Sequence, residues 1–203
     1  MNSGYREVLE DISSENATPG GGAVSAMAIA HGIALARMVA KLTVGREKWK
    51  QGHSSATQFL IDSDKWIDTS LNLSNQDCLA FESVMKAYRM PKGDDVEIIS
   101  RNQAIREANH VATQSPLDIM EFGLTALQSI ESMSENCNAN AITDLGSSVN
   151  IIYSAIECAS LNVYVNLKST SEESSETNVR VEEILSYSKK IKIDMYEIVE
   201  ARM

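Results

Sequence analysis

The stretch Ala17-Thr18-Pro19-Gly20-Gly21-Gly22, running directly into the small-residue segment Ala23 to Leu42, decides the fold. Three successive glycines carry no Cβ, so the backbone here can take positive φ and come very close to a ligand or a neighbouring helix. Behind them Ala23, Ala26, Met27, Ala30, Ala34, Met38 and Leu42 recur at spacings of three and four, the period of a helix face. Alanine on that face lets a second helix axis approach closely, so this segment is expected at the centre of a helical bundle. A glycine turn opening a helix also leaves N–H groups unpaired at the positive end of the dipole. An anionic or carbonyl-bearing ligand would sit there. The same run serves equally as a tight lead-in to a helix with no ligand at all. No Gly-Lys-Ser/Thr follows Gly22 and no strand pattern precedes it, which excludes a nucleotide P-loop and a dinucleotide fingerprint.

Composition agrees with this reading. With 203 residues, the chain suits one domain, over 1–203, with a core large enough to fold unaided. Aromatics are 5% of it and prolines number three, while Ala, Ile, Leu and Met abound, which predicts an all-α protein. A net charge of -10 argues against nucleic acid as a partner, since phosphate binding needs clustered Lys and Arg. The one basic gathering in the first half is Arg37, Lys41, Arg46, Lys48 and Lys50, which reads either as a solvated helix end or as a surface for an anionic small molecule. The cysteines, Cys78, Cys137 and Cys158, are odd in number and lack Cys-x-x-Cys spacing, so no metal site and no redox motif is expected. Cys78 and Cys158 fall in apolar patterns and are expected as small core residues in a cytoplasmic protein. The N-terminus, Met1-Asn2-Ser3-Gly4-Tyr5-Arg6-Glu7, lacks the apolar segment of a signal peptide. Gly20 to Ala40 has the length of a membrane span. His31 at its centre and Arg37 near its end favour a buried central helix instead, so no membrane partner is expected.

Outward from this centre the chain reads as a series of helices. Tyr5 to Ile12 is amphipathic, with Tyr5, Val8, Leu9 and Ile12 on one side. Gly45 is placed to end the central helix. A long helix is predicted from about Ser55 to Tyr88, with Leu60, Ile67, Leu71, Ser74, Cys78, Phe81, Met85 and Tyr88 along it. Asp77 shares a face with Phe81, Val84 and Tyr88. A carboxylate there is either hydrogen-bonded to a neighbouring helix or held at a raised pKa. After the break at Met90-Pro91-Lys92-Gly93, one helix is predicted over Val96 to Ala112. A second starts at Ser115-Pro116, a cap followed by proline at the first position, and runs to about Glu135. The Asn-rich loop Asn136 to Gly146 opens a further helix with Leu145, Val149, Ile152, Ile156, Ala159 and Val163 buried. Asp144 sits in its first turn, where the dipole alone would favour an acid. Asn162 and Asn166, amid Leu and Val, either pair together or read a polar ligand. Ser169 to Thr177 is a polar connector. The last helix spans 178–202, with Val181, Leu185, Ser188, Ile191, Met195 and Ile198 on one stripe.

Taken as a set, these motifs resemble the cyclodeaminase/cyclohydrolase family of folate enzymes. The resemblance is carried by Thr18-Pro19-Gly20-Gly21-Gly22-Ala23, by Asp77-x-x-Ala80-Phe81, and by Ala87-Tyr88-Arg89-Met90-Pro91-Lys92. It continues through Pro116-Leu117, Asn138-x-Asn140-Ala141-Ile142-Thr143-Asp144-x-Gly146 and Asn162-Val163-x-Val165-Asn166-Leu167, covering roughly residues 5 to 170. Departures from the family pattern are Cys137 and Ala139 in the loop, Thr143, Ser147, Ser148, and Asn75 where an acid is common. The resemblance implies a multi-helical up-and-down bundle that forms homodimers. It implies chemistry on a one-carbon unit carried by tetrahydrofolate, with no metal. The activity implied is formimidoyltetrahydrofolate cyclodeaminase, in which N10 attacks the formimino carbon on N5 and ammonia leaves. The alternatives are methenyltetrahydrofolate cyclohydrolase and a helical folate-binding or interaction protein without activity. Asp144 is the acid/base expected from the resemblance, with Asp77 as second acid or pterin anchor. Thr18, Pro19, Gly20, Gly21, Gly22, Asn140, Asn162 and Asn166 are expected at the substrate, and Arg89, Arg37 or Lys41 at its glutamate tail.

Overall fold

The computed structural model describes residues 3–168 and 174–203, the side chains of Ser3 and Ser174 excepted. In chain order the helices are α1 (Ser3–Ile12), α2 (Gly21–Val44), α3 (His53–Asp62), α4 (Trp66–Tyr88), α5 (Asp95–Ser134), α6 (Ile142–Leu167) and α7 (Ser174–Arg202). Two 3-10 turns, Glu47–Gly52 and Ala139–Ala141, lead into α3 and α6. Among the described residues there is no strand, and the all-α bundle expected from the sequence is what forms.

Helix α2 is the axis of the bundle and packs on α3, α4, α5 and α6. Its closest approach is to α6, which runs antiparallel to it. Gly32 makes this possible: a Cβ there would lie 2.4 Å from Ile152 Cγ1 and 3.0 Å from the Ser148 carbonyl. At the same level the Ser148 hydroxyl donates to the Gly32 carbonyl at 2.6 Å. Two faces of α2 are therefore buried, through Ala23, Ala26, Ile29, Ile33, Ala36, Val39 and Ala40. The predicted face fails in its second half, because Ala34, Met38 and Leu42 point to solvent. A helix held on several sides has no single apolar stripe to read.

Three predicted boundaries are corrected. The helix expected over Ser55 to Tyr88 is broken at Ser63-Asp64-Lys65. Arg37 of α2 stitches the break: its guanidinium donates to the Leu60 carbonyl at 3.1 Å and to the Ser63 hydroxyl at 2.8 Å. That task, together with the Asp64 carboxylate 3.8 Å away, occupies Arg37. Phe59, Trp66 and Phe122 meet edge-on behind it, at 6.1 Å and 5.8 Å. Second, Ser115-Pro116 starts no helix, since α5 is continuous through Pro116. The start is instead Asp94, whose carboxylate accepts from the Glu97 amide. Third, α7 begins at Ser174, so the last four residues of the predicted connector form its first turn, while 169–173 lie outside the described residues.

The predicted stripes of α6 and α7 are buried almost as expected. The cysteines are not: Cys137 is the buried one, Cys78 is half-buried and Cys158 is exposed, because the α6 line that carries it faces outward beyond Ala155. α1 packs lightly on the rest, with the Tyr5 ring edge-on to His31 at 5.7 Å.

Candidate active site

The glycine run ends in extended backbone at Gly20 (φ -100°, ψ -167°), and α2 starts at Gly21 with no side-chain cap. None of the described glycines has positive φ, so the run is not there for left-handed geometry. It is there for closeness. A Cβ on Gly22 would stand 2.5 Å from both carboxylate oxygens of Asp77 on α4, and one on Gly21 would stand 3.3 Å from Asn162 Nδ2 on α6. The two glycines thus let an acid and an amide come directly onto the first turn of α2.

Asp77 is half-buried there. It accepts from the Ala23 amide and, at 3.5 Å, from the hydroxyl of Ser115 on α5. Burial pushes its carboxyl above the ordinary carboxylate range, and these two donors pull back only in part. Both alternatives left open by the sequence therefore hold together: the acid is hydrogen-bonded to a neighbouring helix and its proton is held more tightly. Beside it the Cys78 thiol is pushed up by burial, then by the Asp77 and Glu82 carboxylates, which makes it a poor nucleophile. The amides of Gly21 and Gly22 belong to the first turn, where the helix provides no acceptor. Thr18, Pro19 and Gly20, with a cis Thr18–Pro19 peptide, form the half-buried approach to this turn.

Asn162 donates back to the Cys158 carbonyl of its own helix at 3.1 Å, and it is this same Nδ2, rather than the side-chain oxygen, that lies nearer Gly21. Asn166, one turn on, donates to the Ala112 carbonyl of α5 at 2.6 Å. Asp77, Ser115, Asn162, Asn166 and the glycine turn therefore gather at one end of the bundle.

The other expected residues do not join them. Asp144 lies in the first turn of α6, 18 residues before Asn162, or about 27 Å along the helix axis. Asn140, exposed, precedes it in a loop tied to the far end of α2, where the Asn138 side chain donates to the Leu42 carbonyl and its amide to the Thr43 hydroxyl. Arg89 is exposed just past the end of α4, about 18 Å along the axis from Asp77. Lys41 is exposed near the C-terminal end of α2. Within one chain, then, Asp77 and Asp144 occupy opposite poles. Sequence reasoning missed Ser115, which it read as a helix cap. The signal available was its position beside a proline inside an apolar helical pattern. Among the described residues, no three His, Cys, Asp or Glu side chains come together so as to hold a metal ion.

The family model described as Formiminotransferase-cyclodeaminase matches residues 4–183. The chain is 32% identical over 197 residues to a methenyltetrahydrofolate cyclohydrolase of Methylorubrum extorquens, covering 96% of this chain and 95% of that one. It is 25% identical over 191 residues to the formimidoyltransferase-cyclodeaminase of Rattus norvegicus, covering 93% of this chain but only 35% of that protein. It therefore spans about a third of the length of that two-activity relative. In fold it is similar to the crystal structure of formiminotetrahydrofolate cyclodeaminase from Thermotoga maritima, with a TM-score of 0.79, 24% identity, and coverage of 97% and 93%.

Proposed function

Because this chain belongs to the formiminotransferase-cyclodeaminase family, whose members act in folate one-carbon chemistry, we propose that it hydrolyses 5,10-methenyl-tetrahydrofolate to 10-formyl-tetrahydrofolate, with Asp77 as its acid/base. The observation that carries this reading is the half-buried Asp77 carboxyl, held against Gly22 at the open first turn of α2. The cyclohydrolase is preferred because the relative of that name matches this chain end to end at nearly equal length.

In this mechanism water attacks the methenyl carbon and gives one proton to the Asp77 carboxylate. The bond from that carbon to N5 then breaks. N5 takes up a proton as the oxygen releases its second one to become the formyl carbonyl, so one proton is released overall. A carboxyl whose proton affinity is raised by burial suits both the acceptance and the return. The amides of Gly21 and Gly22, at the positive end of α2, are suited to the pterin carbonyl or to the negative charge that develops on the attacking oxygen. Thr18, Pro19, Gly20 and Asn162 would line the approach. The protein is proposed to act as a cytoplasmic homodimer, and Asp144 could reach this site only from a second copy.

A second reading is the cyclodeaminase, favoured by the formimidoyltransferase-cyclodeaminase relatives. In it the same carboxylate takes the N10 proton as N10 attacks the formimino carbon and passes it to the departing ammonia. Purified protein decides between them. Loss of methenyl absorbance without ammonia release from 5-formimino-tetrahydrofolate supports the proposal, and ammonia release supports the second reading. If neither is seen and calorimetry detects no tetrahydrofolate binding, the bundle is an interaction protein and the proposal fails.

A further inference from the structure

Pro116 lies inside α5 and has no N–H to offer the Ala112 carbonyl four residues earlier. Ala112 is buried, so a carbonyl left open there would be costly. Asn166 of α6 closes the gap, its Nδ2 donating to that carbonyl at 2.6 Å. Adjacent to the proline, the buried Ser115 places its hydroxyl on Asp77. Proline, amide and acid are thus linked in one chain of contacts across α4, α5 and α6.

We propose that Asn166 is a positioning residue: by replacing the hydrogen bond that Pro116 denies to Ala112, it fixes the turn of α5 that holds Ser115 on Asp77. It acts through the protein and does not touch the substrate. The hydrogen-bond half of this proposal stands on geometry alone, while its consequence for turnover rests on the reading of Asp77 as acid/base.

The test is a cycle of four proteins: wild type, Asn166→Leu, Pro116→Ala, and both changes together. In Pro116→Ala, residue 116 regains an N–H, and the Ala112 carbonyl finds its partner within α5. Asn166→Leu is therefore expected to lower the urea midpoint and move the 13C resonance of the Asp77 carboxyl in the wild-type background. In the Pro116→Ala background it should do neither. In turnover of methenyl-tetrahydrofolate, Asn166→Leu should lower kcat roughly 10- to 100-fold with KM kept, as displacement near a reacting centre does. The double variant should match its Pro116→Ala parent.

An equal fall of the urea midpoint in both backgrounds overturns the proposal. So does an unmoved Asp77 resonance, or a rise in KM with kcat unchanged. Should Asn166→Leu fail to fold, folding of the double variant supports the proposal and its failure overturns it. If the urea and resonance patterns hold while wild type leaves methenyl-tetrahydrofolate untouched, the positioning role stands and the proposed function falls.

Discussion

Asp77 is the residue whose surroundings make the clearest demands. Its proton is held more tightly in the folded chain than in the unfolded one, because burial penalises the charge. Stability therefore falls as pH rises from the ordinary carboxylate range through the raised value, and the loss is complete above it. Asp77→Asn carries no charge to desolvate and can still accept from Ala23 and Ser115. It should melt at a higher temperature than wild type at pH 7, with the difference closing on acidification, while turnover falls roughly 10²- to 10⁴-fold. A variant that melts lower at pH 7, with an undiminished gap in acid, would refute this account. Gly22→Ala probes the same contact from the other side. Its methyl would sit 2.5 Å from both oxygens, so the carboxylate must swing away. Activity should collapse while the urea midpoint moves little, because the displaced group moves toward water. The glycine run and the acid Asp77 each stand out in the sequence, but the apolar face read for the acid is not buried: Phe81 and Tyr88 are exposed, and the buried α4 residues on either side of Asp77 are Ser74 and Ala80. That glycine and acid touch was not legible, nor that Asp144 lies at the other pole. Periodicity tells which face a side chain occupies and says nothing of its height along the bundle.

At the scale of elements, the sequence is most readable on α6, although that helix packs on α2, α5 and α7 together. Leu145, Val149, Ile152, Ile156, Ala159 and Val163 form a single stripe on α6 and are all buried. The breaks are where it misleads, in both directions. Nothing in Asp62-Ser63-Asp64-Lys65 is a glycine or proline, yet the chain breaks there, because a guanidinium from another helix takes up the freed groups. Pro116 should end a helix and does not, because an amide from α6 supplies a donor to Ala112. Local propensity yields to a partner distant in sequence in each case. The α2–α6 contact admits a direct check. Gly32→Ala would thrust a methyl to 2.4 Å from Ile152 and 3.0 Å from the Ser148 backbone, which has nowhere to retreat. Chemical denaturation should show a loss of about 1–3 kcal/mol, as overpacking does. An unchanged midpoint would mean that the two helices are not in fact pressed together.

For the molecule as a whole, the far pole is closed by the end of α7. The Arg202 guanidinium donates to the Ser134 and Cys137 carbonyls, gathering the last turn of α5, the loop after it and α7 into one corner. The Asn138 contacts bind that loop to α2. Arg202→Met keeps the stem and removes the donors, and should cost about 1–3 kcal/mol in the urea midpoint, with no change in KM if the chemistry belongs to the opposite pole. A raised KM would put the far corner in the substrate site after all. The central place of α2 also sets an order in which the structure lets go. In deuterium, the amides of 29–40, enclosed on several sides, should exchange only when the entire chain opens, and those of α1, held by little beyond one ring contact, should exchange almost at once. The glycine turn lies at the N-terminal tip of α2, where Gly21 is exposed and Gly22 and Ala23 are buried. A bound pteridine would then announce itself as slowed exchange at 21–23 alone, a local signature against an unmoving interior.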